Sequence, residues 1–487
     1  MPTTDTERER LFIDGQRVPA TDGEWLTTED PATGEAIASV PEANAPDVDR
    51  AVEAAESAFP DWRDVSPSER GRLLRAVAAE IRDCAHDLAE LESRDQGKPL
   101  SQARRDIEGA ARYFEYYAGA ADKLEGTTVP VESDRLDYTV REPYGVSAQI
   151  IPWNFPANIF ARGVAPALAA GNATVVKPSP TTPLSALRLA ELCQDAGLPD
   201  GVVNVVTGGA EPGAALTGHE DVDAITFTGS VPTGQRVMEA AAETITPVTL
   251  ELGGKNPAVV FPDADLDEAV SWIATGIFTN AGQVCSAADR ALVHEDVYEE
   301  FVDRIVAVAN AYELDAGLDD PDMGPLNHAA HREKVEQYIR VGREEGATVA
   351  AGGGSLDRDG HFVEPTVFTD VSPEMRIARE EIFGPVLTVV PFSDVDEAIA
   401  VANDVEFGLA GGVFTRDVKR AHAVAGRIDA GTVYVNEWFG DRTATPFGGY
   451  KRSGIGREKG LEALDSYLQT KNVALSLDEG HPDVPGL

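Results

Sequence analysis

Cys285, in the stretch NAGQVCSAADR, is the first residue whose type and surroundings suggest chemistry. Small neighbours such as Gly282 and Ser286 leave room for a ligand to reach its sulfur. A cysteine acts as a nucleophile when its pKa lies below the free value of about 8.5, or when a base lies nearby. A buried structural role is the common alternative, and we adopt it for Cys84 and Cys193. The residues alone leave Cys285 open between the two roles.

Glu251 is a candidate base. It lies in the predicted strand PVTLEL, and Gly253 and Gly254 follow it closely. A glycine pair lets the backbone bend sharply, and α/β folds bind ligands at the carboxyl ends of their strands. Read without context, Glu251 could equally be a surface acid at a strand end.

The segment IIPWNFPANIF contains a candidate oxyanion donor. Two prolines bracket Trp153, Asn154 and Phe155, which restricts the backbone and predicts helix only after Pro156. An asparagine on a rigid loop can direct its amide to one point, as oxyanion stabilisation requires. The alternative is a turn asparagine that caps the next helix. Lys177 follows the strand ATVV, where a cation could meet a sugar hydroxyl or a phosphate.

The stretch ITFTGSVPTGQ places Gly229 and Gly234 between a predicted strand and a predicted helix. A helix N-terminus there could bind a pyrophosphate. The spacing is neither the dinucleotide-binding GxGxxG nor a P-loop, so an ordinary strand-to-helix turn explains it equally well.

The surrounding elements predict an α/β protein. Apolar residues at three- and four-residue spacings predict helices from about 46 to 95, and an aromatic-rich helix at 102–121 is expected to pack between domains. From 145 onward short apolar strands alternate with helices, which indicates a parallel, doubly wound sheet, and a second alternating region runs from about 265 to 450. LDYTVRE (136–142) and NVALSL (472–477) read as isolated strands that could pair across subunits.

Composition limits the function classes. The chain has 487 residues, enough for about three domains. Its 41 Lys and Arg against 83 Asp and Glu give a net charge of −42, which disfavours nucleic-acid and membrane partners. This excess resembles adaptation to a salty cytoplasm, although an ordinary acidic protein is the alternative. Three cysteines exclude a disulfide framework and a four-cysteine zinc site, so we expect no metal. The sequence shows no signal pattern and no apolar run of about 18 residues, so we expect a soluble, cytoplasmic protein.

Seven motifs in order resemble the NAD(P)-dependent aldehyde dehydrogenase superfamily. They are PWNFP, KPSP, FTGS, LELGGKNP, GQVCSA, EEIFGPV and PFGGYKRSGIGRE, and they span nearly the whole chain. The resemblance implies an α/β fold with a Rossmann-type parallel-sheet cofactor domain, a second α/β catalytic domain and a small β oligomerisation arm. The implied domains are 1–121 and 143–252 for the cofactor, 253–453 for catalysis, and 122–142 with 468–487 for assembly into a homodimer or homotetramer.

The resemblance also assigns roles. Cys285 would attack the aldehyde carbon, with the Asn154 amide and the Cys285 N–H holding the oxyanion. Hydride transfer to the nicotinamide would leave a thioester, and Glu251 would activate water to hydrolyse it. The cofactor-binding residues implied are Ile151, Trp153, Lys177, Gly229, Ser230, Glu381 and Phe383.

Pro180 departs from the family pattern. The KPSE form of this motif commonly places a glutamate there, which binds the adenosine ribose, whereas this chain reads KPSP. Without that carboxylate, the 2′-hydroxyl loses an acceptor and a 2′-phosphate loses a repelling charge. We therefore expect NADP to be accepted alongside NAD, or in preference to it.

Two arginines suggest a substrate class. Arg162 lies eight residues beyond Asn154, and Arg442 lies in a loop that borders the substrate mouth in the family. A guanidinium suits a carboxylate, so succinate or 2-oxoglutarate semialdehyde is favoured over lactaldehyde or glyceraldehyde, and cationic betaine aldehyde is disfavoured. Thr279 and Ala287 depart from the pattern of succinate-semialdehyde enzymes. A buried ion pair is the alternative role of Arg162.

Two other functions are alternatives to aldehyde oxidation. A non-catalytic family member would be expected to have lost Asn154, Glu251 or Cys285, and all three are present. A variant that passes the thioester to coenzyme A is disfavoured by Glu251, which points to water as the acceptor.

Overall fold

The computed structural model describes residues 7–440 and 442–477. Residues 1–6 begin the predicted cofactor-binding segment and residues 478–487 end the predicted oligomerisation segment. Both ranges lie outside the described residues. The α-helices, labelled α1 to α14 in chain order, are Ala45–Asp64, Pro67–Asp83, Ala85–Gln96, Leu100–Ala118, Pro156–Ala170, Leu184–Asp195, Ala210–Thr217, Val231–Thr244, Leu266–Phe278, Tyr298–Ala311, Ala329–Glu344, Arg376–Arg379, Val395–Asn403 and Val418–Ala425.

The strands form two large sheets and three small ones. Labelled β1 to β23 in chain order, they are Glu7–Arg8, Leu11–Ile13, Gln16–Val18, Trp25–Glu29, Ala36–Pro41, Thr128–Val129, Arg135–Pro143, Val146–Ile150, Ala173–Lys177, Val203–Val205, Ala224–Thr228, Val248–Glu251, Pro257–Val260, Arg290–His294, Thr348–Ala351, Thr366–Thr369, Val386–Phe392, Phe407–Gly408, Ala410–Phe414, Thr432–Val435, Tyr450–Lys451, Gly454–Ile455 and Leu468–Ser476.

The first sheet has the order β22-β12-β11-β8-β9-β10-β2-β3. Its five central strands, β12 to β10 in that order, are parallel. Strands such as β9 are buried along their whole length because helices cover both faces. β22 comes from the C-terminal part of the chain and pairs antiparallel with β12, which places Gly454 opposite Glu251.

The second sheet has the order β15-β16-β17-β14-β13-β19-β20 and is parallel except for its edge strand β15. Its own hydrophobic core surrounds side chains such as Phe278, Phe301 and Trp438. Two parallel sheets, each with a separate core, confirm the α/β fold class. The assignment of domain functions to them stays a prediction.

The two strands expected to be isolated pair with each other instead. β7 and β23 run antiparallel over nine residues, from Leu468 opposite Pro143 to Ser476 opposite Arg135, and β6 extends the sheet. The prediction that these strands are isolated was therefore wrong, whereas pairing across subunits stays a prediction. A sequence pattern could not reveal that β7 pairs with β23, because the strands lie far apart in the chain and neither carries a turn that joins it to the other.

Helix α5 connects the sheet to the helical layer. It is almost entirely buried and rich in alanine, which allows neighbouring helices to approach it closely. The aromatic side chains Tyr113, Phe114 and Tyr117 of α4 are buried in the same core as α5, consistent with a packing role. In the described ranges, no helix is long and apolar enough to cross a bilayer.

Candidate active site

A cavity of about 510 Å³ lies at the carboxyl edge of the first sheet. We name two groups of lining residues. The sheet-edge wall comprises residues at or just after the carboxyl ends of strands β8, β11 and β12, and the helix wall comprises residues of α4 and α5. The sheet-edge wall is Trp153, Thr228, Gly229, Ser230, Leu252 and Gly253; the helix wall is Arg105, Asp106, Asn158, Ile159 and Arg162. Cys285, Asn154 and Glu251 all line this one cavity.

Cys285 lies in an irregular loop that hydrogen bonds hold firmly. Asn256 Nδ2 donates to the Cys285 carbonyl at 3.0 Å, and Trp438 Nε1 donates to the Ser286 carbonyl at 2.9 Å. Among the described residues, the Cys285 N–H has no acceptor, so it is available to a ligand oxygen. Burial raises the pKa of the Cys285 thiol to about 12, although the Arg162 guanidinium pulls it down.

Asn154 is fixed beside this loop. Its Nδ2 donates to the Gln283 carbonyl at 2.9 Å, and its own carbonyl accepts from Asn280 Nδ2 at 3.0 Å. Asn154 does not cap α5, since the N-cap residue is Phe155 and no side chain of the cap bonds to the helix. The alternative of a helix-capping asparagine is therefore excluded.

Glu251 ends β12 and is buried, which removes the alternative of a surface acid. In the described part of the chain, neither of its carboxylate oxygens has a hydrogen-bond partner. Burial raises the pKa of Glu251 well above its usual value, and the nearby Glu458 carboxylate raises it further, while Arg162 opposes both. Burial and Glu458 therefore favour the protonated carboxyl relative to a free one, and Arg162 favours the carboxylate.

The glycine pair after Glu251 is required by close approach. A Cβ on Gly253 would lie 2.3 Å from a Glu381 oxygen, and a Cβ on Gly254 would lie 2.4 Å from the Cys285 carbonyl. Side chains at these two positions would push β12, which bears Glu251, away from the loop that contains Cys285. The glycines thus allow Glu251, Glu381 and Cys285 to share one cavity.

Arg162 is buried and pairs with an acid. Its Nε contacts the Glu458 carboxylate, and its guanidinium lies 5.3 Å from the centre of the Phe447 ring. Burial would lower the pKa of Arg162, but Glu458 and Glu251 more than compensate and raise it. The buried ion pair weighed as an alternative is thus present, and it offsets the positive charge that Arg162 brings to the cavity.

Arg442 lies elsewhere. Its side chain is exposed, and it is not among the described residues that line the cavity. Its backbone N–H donates to Thr445 Oγ1 at 3.0 Å. The structure therefore does not bring the two predicted substrate arginines together.

Glu381 and Phe383 also line the cavity, and Glu381 lies beside Gly253 of the sheet-edge wall. Glu381 Oε1 accepts from the Gly254 N–H at 3.1 Å, and burial raises the pKa of Glu381 to about 7. Phe383 has a left-handed backbone with φ of +64°, and His331 Nε2 lies 2.7 Å from its carbonyl oxygen. Burial lowers the pKa of His331 to about 3, so the ring is neutral and can donate to this carbonyl.

The other predicted cofactor residues occupy two places. Gly229 and Ser230 lie at the start of α8, where the Ser230 side chain does not cap the helix, so the first N–H groups can meet a phosphate. Ile151 and Lys177 lie at the ends of β8 and β9, and neither lines the cavity. Burial lowers the pKa of Lys177 to about 8, against the pull of Glu42. These positions fit a dinucleotide extended along the sheet edge.

Sequence reasoning missed several lining residues. Those of the helix wall are signalled only by helix faces that meet in the fold, and the others follow no strand. They are Arg105, Asp106, Asn158, Ile159, His328, His331, Lys334, Phe439, Phe447 and Lys459. Glu458 was present in the quoted motif PFGGYKRSGIGRE without being given a role.

Comparison with known proteins agrees with this geometry. Residues 18–473 match the sequence profile of the aldehyde dehydrogenase family. The chain belongs to this family. It is 45% identical over 472 residues to hydroxyisobutyraldehyde dehydrogenase of Mycolicibacterium austroafricanum, covering 96% of this chain and 94% of that one.

Solved structures of the family superpose closely. The NAD⁺ complex of Bacillus cereus aldehyde dehydrogenase matches with a TM-score of 0.96 and 46% identity over 97% of both chains. Betaine aldehyde dehydrogenase of Staphylococcus aureus, with NAD⁺ bound, matches with a TM-score of 0.95 and 40% identity over 97% of both chains. The resemblance inferred from the motifs is confirmed, and this chain is an aldehyde dehydrogenase.

Proposed function

We propose that this enzyme oxidises a short aldehyde with a polar or anionic far end to its carboxylic acid, through a thioester on Cys285. The observation that carries the proposal is the convergence of Cys285, Asn154 and Glu251 on one cavity, beside Glu381 and Phe383. When bound, the nicotinamide cofactor supplies the hydride acceptor.

The residues divide the work as follows. The Cys285 thiolate, formed when the thiol loses its proton to solvent, bonds to the aldehyde carbon, and the carbonyl π electrons move to the oxygen, giving an oxyanion held by Asn154 Nδ2 and the Cys285 N–H. Loss of hydride from that carbon restores the carbonyl as a thioester. Glu251, once deprotonated, takes a proton from water, whose oxygen attacks the thioester and releases the acid and the Cys285 thiolate.

Arg105 supports an anionic substrate. It lines the cavity on the helix wall, its side chain is exposed, and it has no ion pair or hydrogen bond among the described residues. The adjacent acid Asp106 forms its ion pair with Lys98 at 2.5 Å, and the Arg105 charge acts on Asp106 only through space. A guanidinium at an open position suits capture of a carboxylate. Succinate or 2-oxoglutarate semialdehyde is therefore the leading substrate class.

A hydroxyaldehyde is the second candidate. The half-buried amide of Asn158 lies on the same wall and could bind a hydroxyl group. The relative from M. austroafricanum is named for hydroxyisobutyraldehyde, which carries one. Because Arg162 is paired and Arg442 lies outside the cavity lining, Arg105 is the arginine that would repel cationic betaine aldehyde.

For the cofactor, we propose that NADP is accepted alongside NAD or preferred to it. Support comes from Pro180, which offers no carboxylate to a ribose hydroxyl, and from its neighbours Ser179 and Thr181, whose hydroxyls lie 3.1 Å apart. The structural relatives described above bind NAD⁺, so steady-state kinetics with both cofactors provides the test. A preference for NAD of about 100-fold, or about 2.7 kcal/mol, would contradict the proposal.

For assembly and setting, we propose a homodimer or homotetramer in a salt-rich cytoplasm. The sheet of β6, β7 and β23 exposes apolar side chains, including Leu136, Tyr138 and Leu475, which a second copy could cover. The net charge of −42 would be screened by molar salt. Light scattering at low salt and in molar KCl measures the number of subunits and its dependence on salt.

The substrate proposal is tested with a panel of aldehydes on the wild type and on Arg105→Gln. We expect the variant to raise the KM for succinate semialdehyde by about 10- to 100-fold, the value of one charged hydrogen bond, and to leave the KM for butanal within about twofold. Arg442→Gln is the matched control, because it removes an exposed arginine outside the cavity. Equal effects of Arg105→Gln on both aldehydes would exclude Arg105 as the group that binds the substrate carboxylate.

A second experiment compares the products formed with and without coenzyme A, and we expect the free acid in both cases.

A further inference from the structure

A buried charged cluster borders the helix wall of the cavity, where Asp106 is its lining member, and none of its residues takes part in the reaction steps above. Lys98, in the turn between α3 and α4, is completely buried. Its Nζ lies 3.2 Å from Glu92 Oε1 and 2.5 Å from Asp106 Oδ2. Burying three charges is costly, and apolar side chains would fill the same space at lower cost. The cluster therefore calls for a reason beyond packing.

Glu92 supplies the cap that α5 lacks. The N-cap residue Phe155 has no side-chain acceptor, and Pro156 has no N–H, so the first helix donor is the N–H of Ala157. That N–H donates to Glu92 Oε2 at 3.3 Å, and Ser185 Oγ donates to the same oxygen at 2.7 Å. A carboxylate from another helix thus fixes the start of α5.

Lys98 also contacts the loop directly. Its ammonium lies 4.3 Å from the centre of the Phe155 ring, within the range of a cation–π interaction. Asp106 reaches the next turn through its carbonyl, which accepts from Asn158 Nδ2 at 3.5 Å. The three charged residues therefore contact Phe155, Ala157 and Asn158, the residues that directly follow Asn154.

We propose that Lys98 is a positioning residue for Asn154. Through Glu92 and the Phe155 ring it fixes the backbone from 154 to 157, so that the Asn154 amide stays beside the Cys285 loop. An oxyanion donor must be held in place before the reaction, and a small displacement weakens it strongly. The inference rests on the proposed role of Asn154 as an oxyanion donor.

The test measures the first turnover of cofactor reduction in rapid-mixing experiments. Lys98→Met, which keeps the length of the side chain and removes the charge, is expected to slow this step by about 10- to 100-fold. The dissociation constant of the cofactor and the rate of Cys285 alkylation by iodoacetamide should stay within twofold of wild type. Arg70→Met is the matched control, because Arg70 is a buried cation that contacts the other end of α5 through the Ala169 carbonyl; it should leave the first turnover unchanged.

The decisive comparison uses Asn154→Ala as a second background. If Lys98 acts through Asn154, Lys98→Met should have little further effect there, whereas a general packing role would give the same loss in both backgrounds. Glu92→Gln, which can still accept from Ala157, provides a milder variant with a smaller loss and the same non-additivity. Additive losses, or an unchanged first turnover in Lys98→Met, would overturn the inference alone. An unchanged first turnover in Asn154→Ala would instead remove the proposed role of Asn154, and the inference with it.

Discussion

The two walls of the cavity are built differently. The sheet-edge wall is formed by residues that follow parallel strands, so the topology brings them to one edge whatever their side chains. The helix wall depends on which faces of α4 and α5 meet, and its charges are already engaged except for Arg105. The sheet edge can therefore provide chemistry shared across the family, while the helix wall can change with the substrate.

Substitution of Glu251, the last residue of β12, should have the largest effect on turnover. Glu251→Gln removes the base but not the nucleophile, so we expect one equivalent of reduced cofactor per site and then a steady rate lower by about 10²- to 10⁴-fold. Mass spectrometry should find the acyl group on Cys285. A wild-type steady rate in the variant would show that the sheet edge does not supply the base.

The Cys285 thiol should respond to pH with a simple slope. Since burial raises its pKa to about 12, the thiolate fraction at neutral pH is small and rises about tenfold per pH unit. The rate of alkylation by iodoacetamide without cofactor should therefore rise about tenfold for each pH unit between about pH 7 and 9. A plateau below pH 8 would mean that the surrounding cations, including Arg162, outweigh burial.

Glu381 should give the smallest effect and the sharpest separation of the two walls. Glu381→Gln is expected to raise the KM for the cofactor by about tenfold through loss of a charged hydrogen bond, with the KM for the aldehyde unchanged. Arg105→Gln should do the reverse. If either variant changes both constants together, the two walls do not act separately.

Strand ends explain what the sequence could predict. Glu251 and Trp153 follow apolar strands whose carboxyl ends must meet, and Cys285 stands among small residues, so their convergence could be expected. The motifs then extended this to Glu381 and Phe383, which follow no strand and are joined to the sheet edge through Gly254.

Contacts across the fold explain what the sequence could not predict. Arg162 lines the cavity, but the sequence could not reveal its partner Glu458, which comes from a distant part of the chain and is joined to it by no local pattern. Arg105 lies on an amphipathic helix among other charged residues, and only the packing of α4 against α5 distinguishes it. Likewise β7 and β23 read as isolated because each lacks the other nearby.

The short strand β22 has a consequence for how the enzyme is made. The ribosome completes β12 and Glu251 long before it reaches Ser453, whose carbonyl accepts from the Leu252 N–H at 2.9 Å and whose hydroxyl donates to the Gly253 carbonyl at 2.7 Å. Until then, the outer edge of the strand that bears Glu251 stays open. A nascent chain therefore cannot finish this edge of the cavity before nearly all of it has been translated.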